Sequence, residues 1–251
     1  MSVNQSTLNQ LTTSLKDYSP TAYRIMGDIS HSMQHVAVIL LLLFMGLEMF
    51  NWYQHLKSNG GELTLQLFFE LAIKYVLAYF LVLSIDQIFD IFGWMFNGII
   101  KLAAKNGIRE VKSDIKFDWK NLNWAARGIL QTTYHVTDFI GQIATKLLIL
   151  LRSSTLYVYK GIAKIVVACF MMDALRPICF NFFKLYLAAI LQGVILVIII
   201  ILYPAIVTDD LLKVATTGAW TSALTAIAKG IIYILLLFGS QRMAKSILQV
   251  N

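Results

Sequence analysis

Glu70 and Lys74 stand four residues apart, acid first, inside an apolar stretch. On a helix they share a face and can neutralise one another. That spacing fits an internal pair that lets the helix enter a membrane, or groups lining a polar path or a subunit contact. Asp86 and Asp90 repeat the interval with two acids. Paired carboxylates can bind a cation or relay protons; a wetted helix end is the alternative, since no companion ligand lies nearby. Glu48 closes another apolar run, and Lys229 interrupts a third. Ionisable groups within a bilayer are costly and face protein or water. Lys229 therefore needs a partner, for which Asp173, Glu48 or a neighbouring subunit are the candidates. His31 and His35 have the spacing of a two-histidine metal face, but no third ligand or HExxH signature follows. Walker loop, dinucleotide fingerprint and nucleophile elbow are all missing from the sequence. The expectation is a chain with no catalytic residues, no metal and no cofactor.

A second group of residues carries charge outside the apolar runs. Between 101 and 127 lie Lys101, Lys105, Arg109, Lys112, Lys116, Lys120 and Arg127, against Glu110, Asp114 and Asp118, for a net +4. Phe117, Trp119 and Trp124 are interleaved with them. Basic plus aromatic residues suit single-stranded nucleic acid, through phosphate attraction and base stacking. The same mixture suits a segment resting on lipid headgroups, where Trp is favoured and lysines reach phosphate.

The elements that position these residues follow from composition. Apolar residues make up 58% of the 251 and charged residues 14%, where soluble domains average about 45–50% and about 25%. A bilayer accommodates such a chain, at roughly 20 apolar residues per crossing. The reading is an all-α polytopic membrane protein of about five transmembrane helices. Residues 1–33 form an amphipathic surface segment, with Leu8, Leu11 and Leu15 at helical spacing and a helix start at Ser19-Pro20. No cleavable signal is seen there, so the first span directs insertion. The first membrane half, 34–100, holds spans near 34–52 and 65–84, then an amphipathic or re-entrant helix over 88–102. A polar basic loop covers 101–138. The second half, 139–251, holds spans near 143–171, 185–207 and 218–240, the first of them with Lys146, Arg152, Lys160 and Lys164 along it. Cys169 and Cys179 lie in or beside apolar segments and argue against a disulfide framework. The net charge of +7 fits anionic lipid headgroups as partners.

One stretch has a specific likeness. Residues 176–193, Arg-Pro-Ile-Cys-Phe-Asn-Phe-Phe-Lys-Leu-Tyr-Leu-Ala-Ala-Ile-Leu-Gln-Gly, resemble a segment of the TrbL-type polytopic subunit of conjugative type IV secretion machines. This is the sixth VirB component, in its short Gram-positive-like form. The matching positions are Asn181, Phe182, Lys184, Gln192 and Gly193. A leucine-rich first span ending in Glu48, a lysine-bearing second span (Lys74) and the ending Ser-Gln-Arg-Met-Ala-Lys-Ser-Ile-Leu also resemble that family. Cys179 departs from its usual glycine, and the prolines common before the motif are absent from 165–172.

The resemblance implies about five spans and a ring of several copies in the bacterial cytoplasmic membrane. It further implies contacts with secretion ATPases and other membrane subunits, and a contribution to the path of a single-stranded DNA–relaxase substrate. The family pattern places the 101–127 loop outside, whereas the positive-inside rule places it in the cytoplasm. Two other function classes stay open on the residues themselves. One is a small-solute or ion transporter using Glu70, Lys74, Asp86 and Asp90; the other is a scaffold that anchors other subunits.

Overall fold

The computed structural model describes residues 5–58, 65–107, 124–208 and 219–249. Seven α-helices follow one another among them, with no strand: α1 (Gln5–Thr12), α2 (Leu15–Tyr18), α3 (Pro20–Ser58), α4 (Leu65–Gly107), α5 (Trp124–Ala168), α6 (Arg176–Thr208) and α7 (Ala219–Ile247). A 3₁₀ turn, Cys169–Met171, ends α5. Five helices contain segments long and apolar enough to cross a membrane: Pro20–Ser58, Phe68–Ala103, Gln131–Met171, Arg176–Tyr203 and Ile227–Ile247. The chain is a multi-pass, all-α membrane protein.

Two boundaries differ from the sequence expectation. Pro20 opens a helix as predicted, at the first helical position, where its missing N–H costs nothing. Ser19 caps it by accepting the Ala22 N–H at 3.4 Å. That helix does not end as a short surface piece; it runs on as the first span, because nothing between Pro20 and Ser58 breaks the hydrogen-bond ladder. The break expected across 84–90 is likewise absent. Helix α4 continues for 43 residues, about 64 Å at ~1.5 Å per residue, so 88–102 is its continuation. Of the residues that read as a wetted break, Asp86 is partly buried and Asp90 keeps a side chain 49% exposed.

The described residues fall into two compact units. The first comprises residues 5–13, 96–107, 124–153, 189–208 and 219–249. Its apolar core includes Ile100, Leu148, Ile149, Ile190, Leu196, Ile200 and Leu237. Helices α5 and α7 approach closely where a Cβ on Gly230 would overlap the Thr137 methyl. Thr145 and Tyr233 share a hydrogen bond of 3.1 Å in the same unit.

The second unit comprises, among the described residues, 14–58, 65–95 and 154–188. An aromatic cluster forms its core. Phe89 of α4 stacks on Tyr186 of α6 with ring centroids 3.7 Å apart, and the Tyr186 hydroxyl donates to the Phe89 carbonyl at 2.9 Å. Phe182 packs beside both Phe89 and Tyr159. Tyr157 ties the N-terminal segment to α5 by donating to the Leu15 carbonyl at 2.6 Å.

Truncating a buried aromatic removes both apolar burial and packing. Phe89→Ala should lower the stability of the detergent-purified protein by about 3–5 kcal/mol. Phe80→Ala, on the same helix but 62% exposed, should change it little. Thermal melts of the two variants side by side check this.

Candidate functional site

The second unit holds Glu48, Lys74, Asp86 and Asp90, and it pairs the last three across helices. Asp86 and Asp90 occupy one face of α4, one turn apart. Lys160 and Lys164 occupy one face of α5 at the same interval. Lys164 Nζ lies 3.0 Å from Asp86 Oδ2, and Lys160 Nζ lies 2.7 Å from Asp90 Oδ1. Numbers rise on one helix as they fall on the other, so the rungs fix an antiparallel register. The two lysine side chains are only 4% and 7% exposed.

Helix α3 completes each rung. Ser30, fully buried, donates its hydroxyl to the Asp86 carboxylate at 2.9 Å. Gln34 accepts from Lys164 at 3.0 Å. One rung on, Tyr23 donates to Asp90 Oδ2 at 2.9 Å and accepts from Lys160 at 2.8 Å. The ammonium of Lys160 also lies 4.1 Å from the Tyr23 ring centroid. A buried charge is tolerated only when its hydrogen-bonding groups are satisfied, and the α3 side chains complete the partners of the two buried lysines.

A third cluster lies at the turn between α5 and α6. Lys74 Nζ donates to both Asp173 oxygens, at 3.2 and 3.0 Å. Arg176 pairs with the same carboxylate through Nη2. Glu48, 4% exposed, hydrogen-bonds Asp173 as well. Burial alone would raise the Asp173 carboxyl. The hydrogen bonds from Lys74 and Glu48, with the charges of Lys74 and Arg176, outweigh it and hold the group below the ordinary carboxylate range.

Several sequence expectations change here. Lys74 pairs with Asp173 rather than with Glu70, which is exposed. The reason is geometric satisfaction: Asp173 offers both oxygens to Lys74 and is already oriented by Arg176. Glu48 and Asp173, candidates for Lys229, are committed to the Lys74 cluster. Lys229 is half-buried on α7 and is not without a partner of its own. Asp86 and Asp90 lie inside α4 rather than at a helix end, Asp86 partly buried and Asp90 exposed, each met by a lysine of α5. His31 and His35 are both exposed, their rings edge to face at 6.1 Å. Among the described residues no group of three or more His, Cys, Asp or Glu could hold a metal ion.

The resemblance motif divides between surface and interior. Asn181 and Lys184 are exposed, whereas Phe182, Gln192 and Gly193 are buried. Gly193 belongs to the first unit, where the buried Arg152 guanidinium lies against it. Arg152 Nε donates to the Ala189 carbonyl at 3.1 Å, and a Cβ at 193 would overlap that guanidinium. Of the basic segment, Arg109, Lys112, Lys116, Trp119 and Lys120 lie outside the described residues, as do the side chains of Lys105 and Trp124. Sequence reasoning placed Lys160 and Lys164 on a helix without matching them to Asp86 and Asp90. The shared four-residue interval was the available signal.

No family model, curated protein or solved structure matches the chain.

Two outcomes follow. Removing one partner of a buried pair leaves an uncompensated charge and costs about 3–5 kcal/mol. Lys164→Met should therefore destabilise by about that amount, while Asp86→Leu combined with Lys164→Met should recover most of the loss; chemical or thermal unfolding in detergent reads both. The Asp173 carboxyl contributes stability that is complete above its ordinary pKa of 3.8 and is lost as pH falls through its lowered value. Asp173→Asn should flatten that acid limb of a stability–pH curve.

Proposed function

We propose that this chain is a non-catalytic, oligomeric subunit of a bacterial conjugation or type IV secretion channel, seated in the cytoplasmic membrane. One observation carries the reading. Asp86, Asp90 and Asp173 are each held by a basic side chain of their own unit, and α3 supplies the remaining hydrogen bonds to the two α4 acids. That is the pattern of a rigid structural part. A carrier of ions or small solutes needs an acid free to exchange its partner during transport, so the pairing weighs against the transporter reading.

The likeness of residues 176–193 to the TrbL-type subunit supplies the more specific content. Within that stretch Phe182, Gln192 and Gly193 serve packing, and Asn181 and Lys184 stand exposed, available to other subunits. On this reading several copies form a ring that meets the secretion ATPases and other membrane components. The basic, tryptophan-bearing segment around 101–127 would then border the route of the single-stranded DNA–relaxase substrate. The scaffold reading differs only in assigning no substrate path to the ring.

Genetics and reconstitution test it together. Deleting the gene in its bacterial host should abolish plasmid transfer, and tagged protein should co-purify with a secretion ATPase. Purified protein in proteoliposomes should show no autonomous ion flux. Normal DNA transfer without the gene, together with a flux that Asp90→Asn removes, would overturn the proposal in favour of a carrier.

A further inference from the structure

We propose that the corner built by Trp52, Lys74, Asp173 and Arg176 binds the phosphate group of an anionic phospholipid. The corner lies where spans end. The α5 span stops at Met171 and the α6 span begins at Arg176, so Asp173 sits in the connecting turn. Trp52 stands in the last two turns of α3, and tryptophan favours the headgroup level of a bilayer. Both cations already rest on aromatic faces: Lys74 is 4.8 Å from the Trp52 ring centroid and Arg176 is 5.2 Å from that of Phe170. This holds them at the boundary between apolar and polar surroundings.

Charge and unused donors point to an anion. Two cations share the one carboxylate of Asp173. Arg176 engages Asp173 through Nη2, and its Nε is enclosed yet makes no hydrogen bond among the described residues. Enclosed donors are nearly always paired. A guanidinium matches phosphate through paired N–H bonds, and the Arg176 side chain is 31% exposed.

The surroundings select a lipid over free phosphate. Ile73 and Phe69 beside Lys74, and Ile178 and Phe180 just after Arg176, are each at least half exposed. They supply apolar surface for acyl chains on both sides of the cations.

The test uses the full-length chain in detergent, with thermal unfolding read against added phosphatidylglycerol, phosphatidylcholine or inorganic phosphate. Phosphatidylglycerol alone should raise the melting temperature, saturably. Arg176→Gln should weaken that apparent affinity about tenfold or more, while Lys184→Gln, exposed on the same helix, should leave it unchanged. If Arg176→Gln does not accumulate, Arg176→Lys replaces it; it keeps the charge but loses the paired donors, and the lipid effect should shrink. An equal shift from phosphatidylcholine or inorganic phosphate, or an undiminished phosphatidylglycerol effect in the Arg176 variants, would overturn the assignment.

Discussion

A charge inside a membrane helix must find its opposite before the helix is stable there, and that constraint organises the second unit. Placing a lysine or aspartate at the centre of a membrane helix costs about 2.5–3.5 kcal/mol on insertion scales. Helix α5 carries Lys160 and Lys164 and helix α4 carries Asp86 and Asp90, so neither is comfortable alone. Together they form two rungs whose spacing admits one register. Ser30, Gln34 and Tyr23 then fix where α3 can lie. The aromatic cluster of Phe89, Tyr186, Phe182 and Tyr159 adjoins the Asp90–Lys160 rung along α4 and α5. Polar pairing sets the alignment, and packing supplies much of the cohesion.

The first unit solves a related problem differently. Arg152 is buried and meets the backbone of α6 at Ala189, with room provided by the missing side chain of Gly193. Close approach through small residues is a common route to helix association where lipid competes with apolar side chains. The Thr137–Gly230 contact between α5 and α7 is of the same kind. Helix contacts here rest on size, whereas in the second unit they rest on charge.

Much of the fold was legible in the sequence because hydropathy reports directly on burial in lipid. The span read at 185–207 lies within α6. What was not legible depended on tertiary pairing. Asp86 and Asp90 looked like a break in α4 because hydropathy counts a carboxylate as polar whether or not a lysine from another helix meets it. Lys74 was assigned to Glu70 because spacing along one helix is visible in sequence and Asp173, far along the chain, is not. The N-terminal boundary failed for a simpler reason: polar residues at the start of a long helix resemble a surface segment when the helix's continuation is read separately.

The interlocked rungs are the central claim, and charge reversal in a single rung addresses them most directly. Asp90→Lys and Lys160→Asp should each sharply reduce folded, membrane-integrated protein, measured as the monodisperse fraction after detergent extraction. The double reversal, which restores opposite charges at the same positions, should recover much of the wild-type level. If both single reversals fold normally, or if the double reversal is no better than the worse single, α4 and α5 are not aligned by these charges.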